Sequence, residues 1–166
     1  MDILYYDTLR SKLGDLFVVA SDKGIVYIGT PDASFEEVEV WAKKPFKNYT
    51  FEESSEKVAQ YIEQLEDYFK GELREFDLPI HVKGTPFQLA VWDALKELPY
   101  GTTTSYSGIA EMIGNPKAVR AVGAAIGANP ILAIIPCHRV IGKNGKMTGF
   151  RSGIPMKEFL LQLERK

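Results

Sequence analysis

The chain's only cysteine, Cys137, lies in Ile135-Pro136-Cys137-His138-Arg139-Val140, beside one of its two histidines. A thiolate is a nucleophile, and a neighbouring imidazole can take its proton or hold it ionised. A carboxylate on the far imidazole nitrogen would complete a Cys–His–Glu relay. The C-terminal segment offers two, Glu158 and Glu164. A lone sulfur closes no internal disulfide, and this cysteine with two histidines does not make a cysteine-rich zinc site. The opposing reading is a buried spectator, because free cysteine is among the most buried residue types. If residues 131–140 form a strand, Cys137 and His138 point to opposite faces, so a bridging water is as open as a direct contact. Spacing does not choose between the glutamates. Glu164 follows Leu163 of the apolar stripe Phe159, Leu160, Leu163, yet it sits near a chain end, where side chains are usually solvated.

A second group of residues points to nucleic acid. Lys117 to Ala128 reads as a helix built almost wholly from Ala, Gly, Val and Ile, with Arg120 as its long projecting side chain. Small residues let a backbone approach another surface closely, either a neighbouring helix or a DNA groove into which the arginine reaches. The first would be a packed core helix with an arginine snorkelling outward. Asn129-Pro130 stops that helix, as a left-handed cap or as a rigid joint to the segment carrying Cys137. Tyr106 is a core aromatic or a phenol aimed at a ligand.

The elements that must position these residues follow from pattern. Ile3–Tyr6, Leu16–Ala20 and Ile25–Ile28 read as strands, the last two joined by Ser21-Asp22-Lys23-Gly24 as a hairpin. Residues 34–43 read as a short helix. Val58, Tyr61, Ile62, Leu65, Tyr68 and Phe69 give helical spacing from Ser54 to Lys70, with Gly71 as the stop. Residues 76–82, with Pro79, read as an edge strand or linker. Thr85-Pro86 opens a helix through Leu98. Tyr106–Ile113 and Lys117–Ala128, joined by Gly114-Asn115-Pro116, suggest a helix-turn-helix. Ile131–Val140 reads as strand, Gly142–Gly145 as a hairpin or wing turn, and Met156–Glu164 as the last helix.

Composition bounds the possibilities. With 166 residues and 45% apolar content the chain can bury a real core, and 25% charged residues argue against disorder. Asp2 and Asp7 stand where a secretory leader would be basic and apolar, so no such leader is expected. The nearly uncharged stretch Ala121–Pro136 is short for a membrane span and contains Asn129-Pro130. A lone thiol suits a reducing cytoplasm. Residues 1–79 carry 9 Lys/Arg against 17 Asp/Glu, a net −8, while residues 80–166 carry 11 against 5, a net +6. The charge changes sign at the expected domain boundary, and the second half is the one suited to a polyanion.

Pro136-Cys137-His138-Arg139-Val140, preceded by Asn129-Pro130 and by Asn115-Pro116-Lys117-Ala118-Val119-Arg120-Ala121-Val122-Gly123, resembles the O6-alkylguanine-DNA alkyltransferases. The match covers roughly residues 85–164. The resemblance implies an α+β protein: an acidic, structural N-terminal domain over 1–79, ribonuclease H-like, and a winged helix-turn-helix domain over 80–166 that carries the cysteine. It implies irreversible, stoichiometric transfer of the alkyl group from O6-alkylguanine, and from O4-alkylthymine, to Cys137 in double-stranded DNA. By the same resemblance His138 acts through a water, Glu164 orients it, and Asn129 is the hinge. Arg120 fills the gap left in the base stack, and Tyr106 helps flip the nucleotide and donates a proton to the purine. Ser107, Asn115 and Lys143 would contact DNA, and Val140 and Arg151 would border the pocket. No metal, cofactor or membrane is implied, and the expected state is a monomer. Many relatives carry tyrosine where this chain has Phe150, which leaves the size of the accepted alkyl group open. Two other classes remain: a sequence-specific DNA-binding regulator with an inert cysteine, and a cysteine hydrolase using Cys137, His138 and Glu164.

Overall fold

β-Branched and aromatic residues in alternation build a four-stranded sheet: β1 (Asp2–Ser11), β2 (Gly14–Ser21), β3 (Gly24–Ile28) and β4 (Tyr49–Glu53). Their order is β3-β2-β1-β4, with β1–β2 and β2–β3 antiparallel and β1–β4 parallel. The period of two sorts the faces. Leu4 and Val19 share a buried cluster with Val38 and Ala42 of helix α1 (Phe35–Ala42), rimmed by Tyr6, Phe17, Phe35 and Phe51. Tyr5, on the opposite face, meets the Lys57 ammonium of helix α2 (Ser55–Phe69). Strand β4 went unassigned in the sequence pattern, although Tyr49, Thr50 and Phe51 are strand formers. Its parallel partner β1 lies far back in the chain, so no hairpin signal marks it.

This computed structural model describes residues 1–145 and 150–165, and within it the chain divides into two compact units, Met1–Lys83 and Gly84–Lys166. Residues 80–82 stay with the first unit. Ile80 bridges Ile25, the His81 N–H donates to the Ile25 carbonyl at 2.9 Å, and Ser21 Oγ lies 2.6 Å from His81 Nδ1. The segment 76–82 is therefore a tether with a single bridge rather than a full edge strand.

The second unit begins with a capping box. Thr85 Oγ1 accepts the Gln88 N–H at 3.1 Å while Gln88 Oε1 accepts the Thr85 N–H at 3.0 Å. Pro86 then starts α3 (Pro86–Lys96), which packs on α4 (Tyr106–Met112) and α5 (Val119–Gly127). Trp92 Nε1–H donates to the Ala125 carbonyl at 2.9 Å and fixes α3 against α5. Gly114, at φ 75°, makes the tight turn between α4 and α5, where the Asn115 N–H returns to the Ala110 carbonyl.

One expectation fails. Ile131–Val140 is not a strand: residues 131–135 form buried turns, Cys137–Arg139 a single 3-10 turn, and only Val140–Ile141 (β6) pairs. The Ile135 N–H bonds back to the Ile131 carbonyl, and Ala133 takes a left-handed φ of 66°. An apolar run buried on every side carries no period, so a strand and a buried turn look alike in sequence. Strand β6 runs parallel to β5 (Thr104–Ser105), with Thr104 opposite Val140 and Ser105 opposite Ile141. A parallel pair is not a hairpin. The expected hairpin or wing turn at 142–145 ends in a 3-10 turn over Lys143–Gly145, and its continuation lies outside the described residues. Helix α6 (Ile154–Glu164) starts slightly earlier than expected, with Pro155 in its first turn.

Candidate active site and nucleic-acid interface

The 3-10 turn at Cys137–Arg139 seats consecutive side chains in the interior, and Cys137, His138 and Arg139 are all buried. Helix α6 brings its last residue to them. Glu164 Oε2 lies 2.6 Å from His138 Nε2, and Glu164 Oε1 accepts Arg139 Nε–H at 2.8 Å. Arg139 Nη2 donates to Oε2 at 2.9 Å, and the Gly101 N–H to Oε1 at 3.1 Å. Arg139 Nη1 also donates to the Leu98 carbonyl at 2.6 Å, so the guanidinium fork ties the end of α3 to the end of α6. The solvated chain-end environment that helix position suggests for Glu164 is thus corrected: the side chain is buried because two cationic or polar partners and a backbone amide satisfy it. Of the two glutamates, this is the one that meets the histidine.

The hydrogen bond fixes the imidazole tautomer. A carboxylate only accepts, so Nε2 carries the proton and Nδ1 is the basic nitrogen of the neutral ring. Burial holds His138 below the ordinary histidine range, against the opposing pull of Glu164. Burial likewise pushes the Cys137 thiol up, while the Asn129 side chain and the charges of Arg151 and Lys157 draw it part of the way back.

Asn129 is the joint at the end of α5. Its Nδ2–H donates to the Ile135 carbonyl at 2.8 Å, and its Oδ1 accepts the Ile131 N–H at 2.9 Å. Both bonds are buried, and they clamp the turn that leads to Cys137. A small cleft opens on the sulfur and is lined in part by Asn129, Phe150, Arg151 and Ser152. Val140, expected at this pocket, is fully buried in β6 and is not among the lining residues.

The helix-turn-helix presents a different surface. Val122, Ala125 and Ile126 form the buried face of α5, whereas Arg120, Ala121, Ala124 and Ala128 are exposed. Ser107 and Asn115 are exposed on the same motif, and Lys143 on the 3-10 turn after β6. Tyr106, half-buried, starts α4 just after Ser105, whose Oγ caps the helix through the Gly108 N–H at 3.0 Å. A β-carbon at Gly123 would lie 3.9 Å from the Tyr106 ring, an ordinary van der Waals contact, so the ring lies against this part of α5. A β-carbon at Gly108 would lie 2.3 Å from Thr104 Oγ1, so that position requires glycine.

Two residues escaped the sequence reading. Arg139 went unassigned although it adjoins His138, because its partner Glu164 is 25 residues away. Lys157, 1% exposed, is a buried lysine on α6 whose charge bears on Cys137. Its position one turn from Leu161 on the apolar side of α6 was the available signal.

Comparison with known proteins agrees with this geometry. Residues 86–166 match the family described as 6-O-methylguanine DNA methyltransferase, DNA binding domain, and residues 4–82 match its ribonuclease-like domain. The inducible methylated-DNA–protein-cysteine methyltransferase of Bacillus subtilis is 47% identical over 98% of this chain and 91% of its own length. The methylated-DNA–protein-cysteine methyltransferase of Methanosarcina acetivorans is 45% identical over 97% of this chain and 98% of its own. Among solved structures, the O6-methylguanine methyltransferase of Mycobacterium tuberculosis is 40% identical, with a TM-score of 0.83 over 98% of this chain and 93% of that one. The Mycobacterium tuberculosis protein in complex with DNA gives a TM-score of 0.81 at 40% identity, over 97% and 92% of the two chains. With both units matched and relatives this similar over nearly the whole length, the chain belongs to the 6-O-methylguanine DNA methyltransferase family.

Proposed function

We propose that this protein repairs DNA by direct reversal, moving the alkyl group of O6-alkylguanine onto Cys137 in a single irreversible event. The observation that carries this reading is the buried Cys137 in a cleft, next to a histidine whose far nitrogen is held by Glu164 at 2.6 Å. With its proton on Nε2, His138 takes the thiol proton at Nδ1 through a water, and the thiolate attacks the alkyl carbon. The O6–carbon bond breaks and its electron pair stays on the base. Tyr106 donates a proton to the purine. A thioether is not hydrolysed under these conditions, so each molecule acts once.

Access to the base requires extrusion, which costs a few kcal/mol. Arg120, on the exposed small-residue face of α5, enters the minor groove and occupies the vacated position. Tyr106 rotates the nucleotide outward, and Ser107, Asn115 and Lys143 hold the backbone. Asn129 keeps the recognition helix and the cysteine turn in fixed relation. O4-alkylthymine is a second substrate of the same cleft. The acidic first unit, residues 1–79 on the charge boundary, serves a structural role, and the protein acts as a cytoplasmic monomer. Among the described residues no helix is long and apolar enough to cross a membrane.

The test is intact-protein mass after incubation with duplex DNA bearing O6-methylguanine. Wild-type protein gains one methyl group on Cys137, and Cys137→Ser gains none. Repeated turnover, as a hydrolase would give, or an unchanged mass, as a regulator would give, defeats the reading.

A further inference from the structure

Arg139 follows the histidine in the chain, and its guanidinium closes on the histidine's partner. Nε–H and Nη2–H take the two oxygens of Glu164 at 2.8 and 2.9 Å, and Nη1–H takes the Leu98 carbonyl at 2.6 Å. The guanidinium carbon also lies 5.7 Å from the centroid of the Tyr100 ring. A planar fork closed on a carboxylate fixes the plane of that group and the direction in which each oxygen points. Oε1 holds Arg139 and the Gly101 amide, and Oε2 holds Arg139 and His138.

A carboxylate acting alone on the far nitrogen would favour the charged imidazolium, and a histidine already protonated takes no proton from a thiol. Arg139 brings to the same carboxylate a positive charge that is never lost. The groups that bear on His138 are Cys137 and Arg139 on its own turn and Glu164 and Lys157 on α6. Burial lowers its proton affinity, Glu164 raises it, and Arg139 and Lys157 lower it again. On the reading of His138 as the base that serves Cys137, we infer that Arg139 is a positioning residue for the transfer. Its fork aims Glu164 Oε2 at the imidazole and offsets the carboxylate's charge, so His138 is held in one orientation and stays neutral. A purely structural arginine would tie α3 to α6 and leave the acid behaviour of His138 untouched.

Imidazole NMR titration separates the two roles in protein carrying Cys137→Ser and His81→Gln, where no thiol titrates and the remaining histidine is His138. Adding Arg139→Gln should raise the His138 midpoint by about one pH unit or more, since the carboxylate then acts unopposed. Adding Arg139→Gln together with Glu164→Gln removes both charges, a change that a buried pair tolerates better than loss of one partner. The midpoint should then return to within about half a unit of the parent. The acid limb of single-turnover methyl transfer, with Cys137 and His81 in place, should move as the midpoint does. An unmoved midpoint in Arg139→Gln would overturn the inference. So would a midpoint that falls by about one unit or more when both charges are removed, a result that stands even if Arg139→Gln alone does not fold. Absence of methyl transfer by the wild type would instead bring down the alkyl-acceptor reading of Cys137 and leave the titration unaffected.

Discussion

The two units of this chain solve burial in opposite ways. Among the described residues, the first hides rings and aliphatic chains such as Phe46, Tyr27, Tyr68 and Leu65, with Ser21 as its buried polar side chain. The second buries Asn129, His138, Arg139, Ser152, Lys157 and Glu164. Removing an ion from water costs several kcal/mol, and mutual attraction recovers this only when the geometry is good and every donor is used. The first unit shows that a similar length of chain can form a core without charges. The ionic interior of the second is therefore not a requirement of packing, and it fits the chemistry proposed for Cys137 and His138. The two histidines repeat the contrast. His81 is half-buried against Ser21 and helps tether the end of its unit, whereas His138 is wholly buried against a carboxylate that sets its tautomer.

The sharpest way to break this comparison is to delete one residue from each interior. Glu164→Ala leaves the Arg139 guanidinium buried without its carboxylate and should cost about 3–5 kcal/mol of stability. It should also slow methyl transfer by about a hundredfold or more, because His138 loses the bond that fixes its tautomer. Leu65→Ala, in the apolar core of the first unit, should cost a comparable 2–5 kcal/mol or so. Its transfer rate, measured where the protein remains folded, should be that of the wild type. Denaturant unfolding and single-turnover kinetics on both variants decide the matter. Equal rate losses would mean that the ionic interior matters only for stability.

The same contrast governs what could be read from sequence. Helices α2 and α3 were legible because one face of each is apolar and the other polar, and Thr85-Pro86 marked a start that the capping box confirms. The sheet's first three strands were legible through a local hairpin. Strand β4 was not, since its partner is remote and parallel. In the second unit, Ile131–Val140 misled because complete burial erases periodicity. Glu164 could be chosen over Glu158 only through family resemblance. Its burial depends on Arg139 and on the Gly101 amide, 25 and 63 residues away, and no local pattern encodes a contact of that kind. Cys137, by contrast, drew notice through its neighbours in the chain, and the structure adds that a 3-10 turn, not a strand, carries them.

A smaller effect separates the buried chemistry from the exposed helix surface. Arg120 is solvent-exposed on α5, so Arg120→Ala should leave unfolding free energy within about 0.5 kcal/mol of the wild type. On the proposed role, in which the arginine offsets the cost of extruding the base, repair of an alkylated duplex should nevertheless fall about tenfold or more. Transfer from free O6-alkylguanine, which needs no extrusion, should change little. Equal loss on duplex and free base would contradict intercalation and place Arg120 in a general binding role.

The gentlest probe is acid, and it acts on both histidines in the same direction. Burial lowers each below its ordinary value, for His81 with help from Lys83 and Lys23 and for His138 against the pull of Glu164. As pH falls, the unfolded chain therefore binds a proton before the folded one does. Each histidine's contribution to stability is fully present above the unfolded pKa of about 6.5 and is lost as pH falls through the lower folded value. His81 is half-exposed and its share is screened, so His81→Gln should flatten the acid slope only slightly. His138→Gln should remove most of it, as read from urea unfolding across that range. Because neutral His138 is the form able to accept the thiol proton, methyl transfer should keep its His-dependent activity down to about pH 6, where an unperturbed imidazole is mostly protonated. An acid limb centred on the ordinary histidine value would show that the His138–Glu164 pair is solvated during catalysis, and the contrast between the two interiors would then hold only for the resting protein.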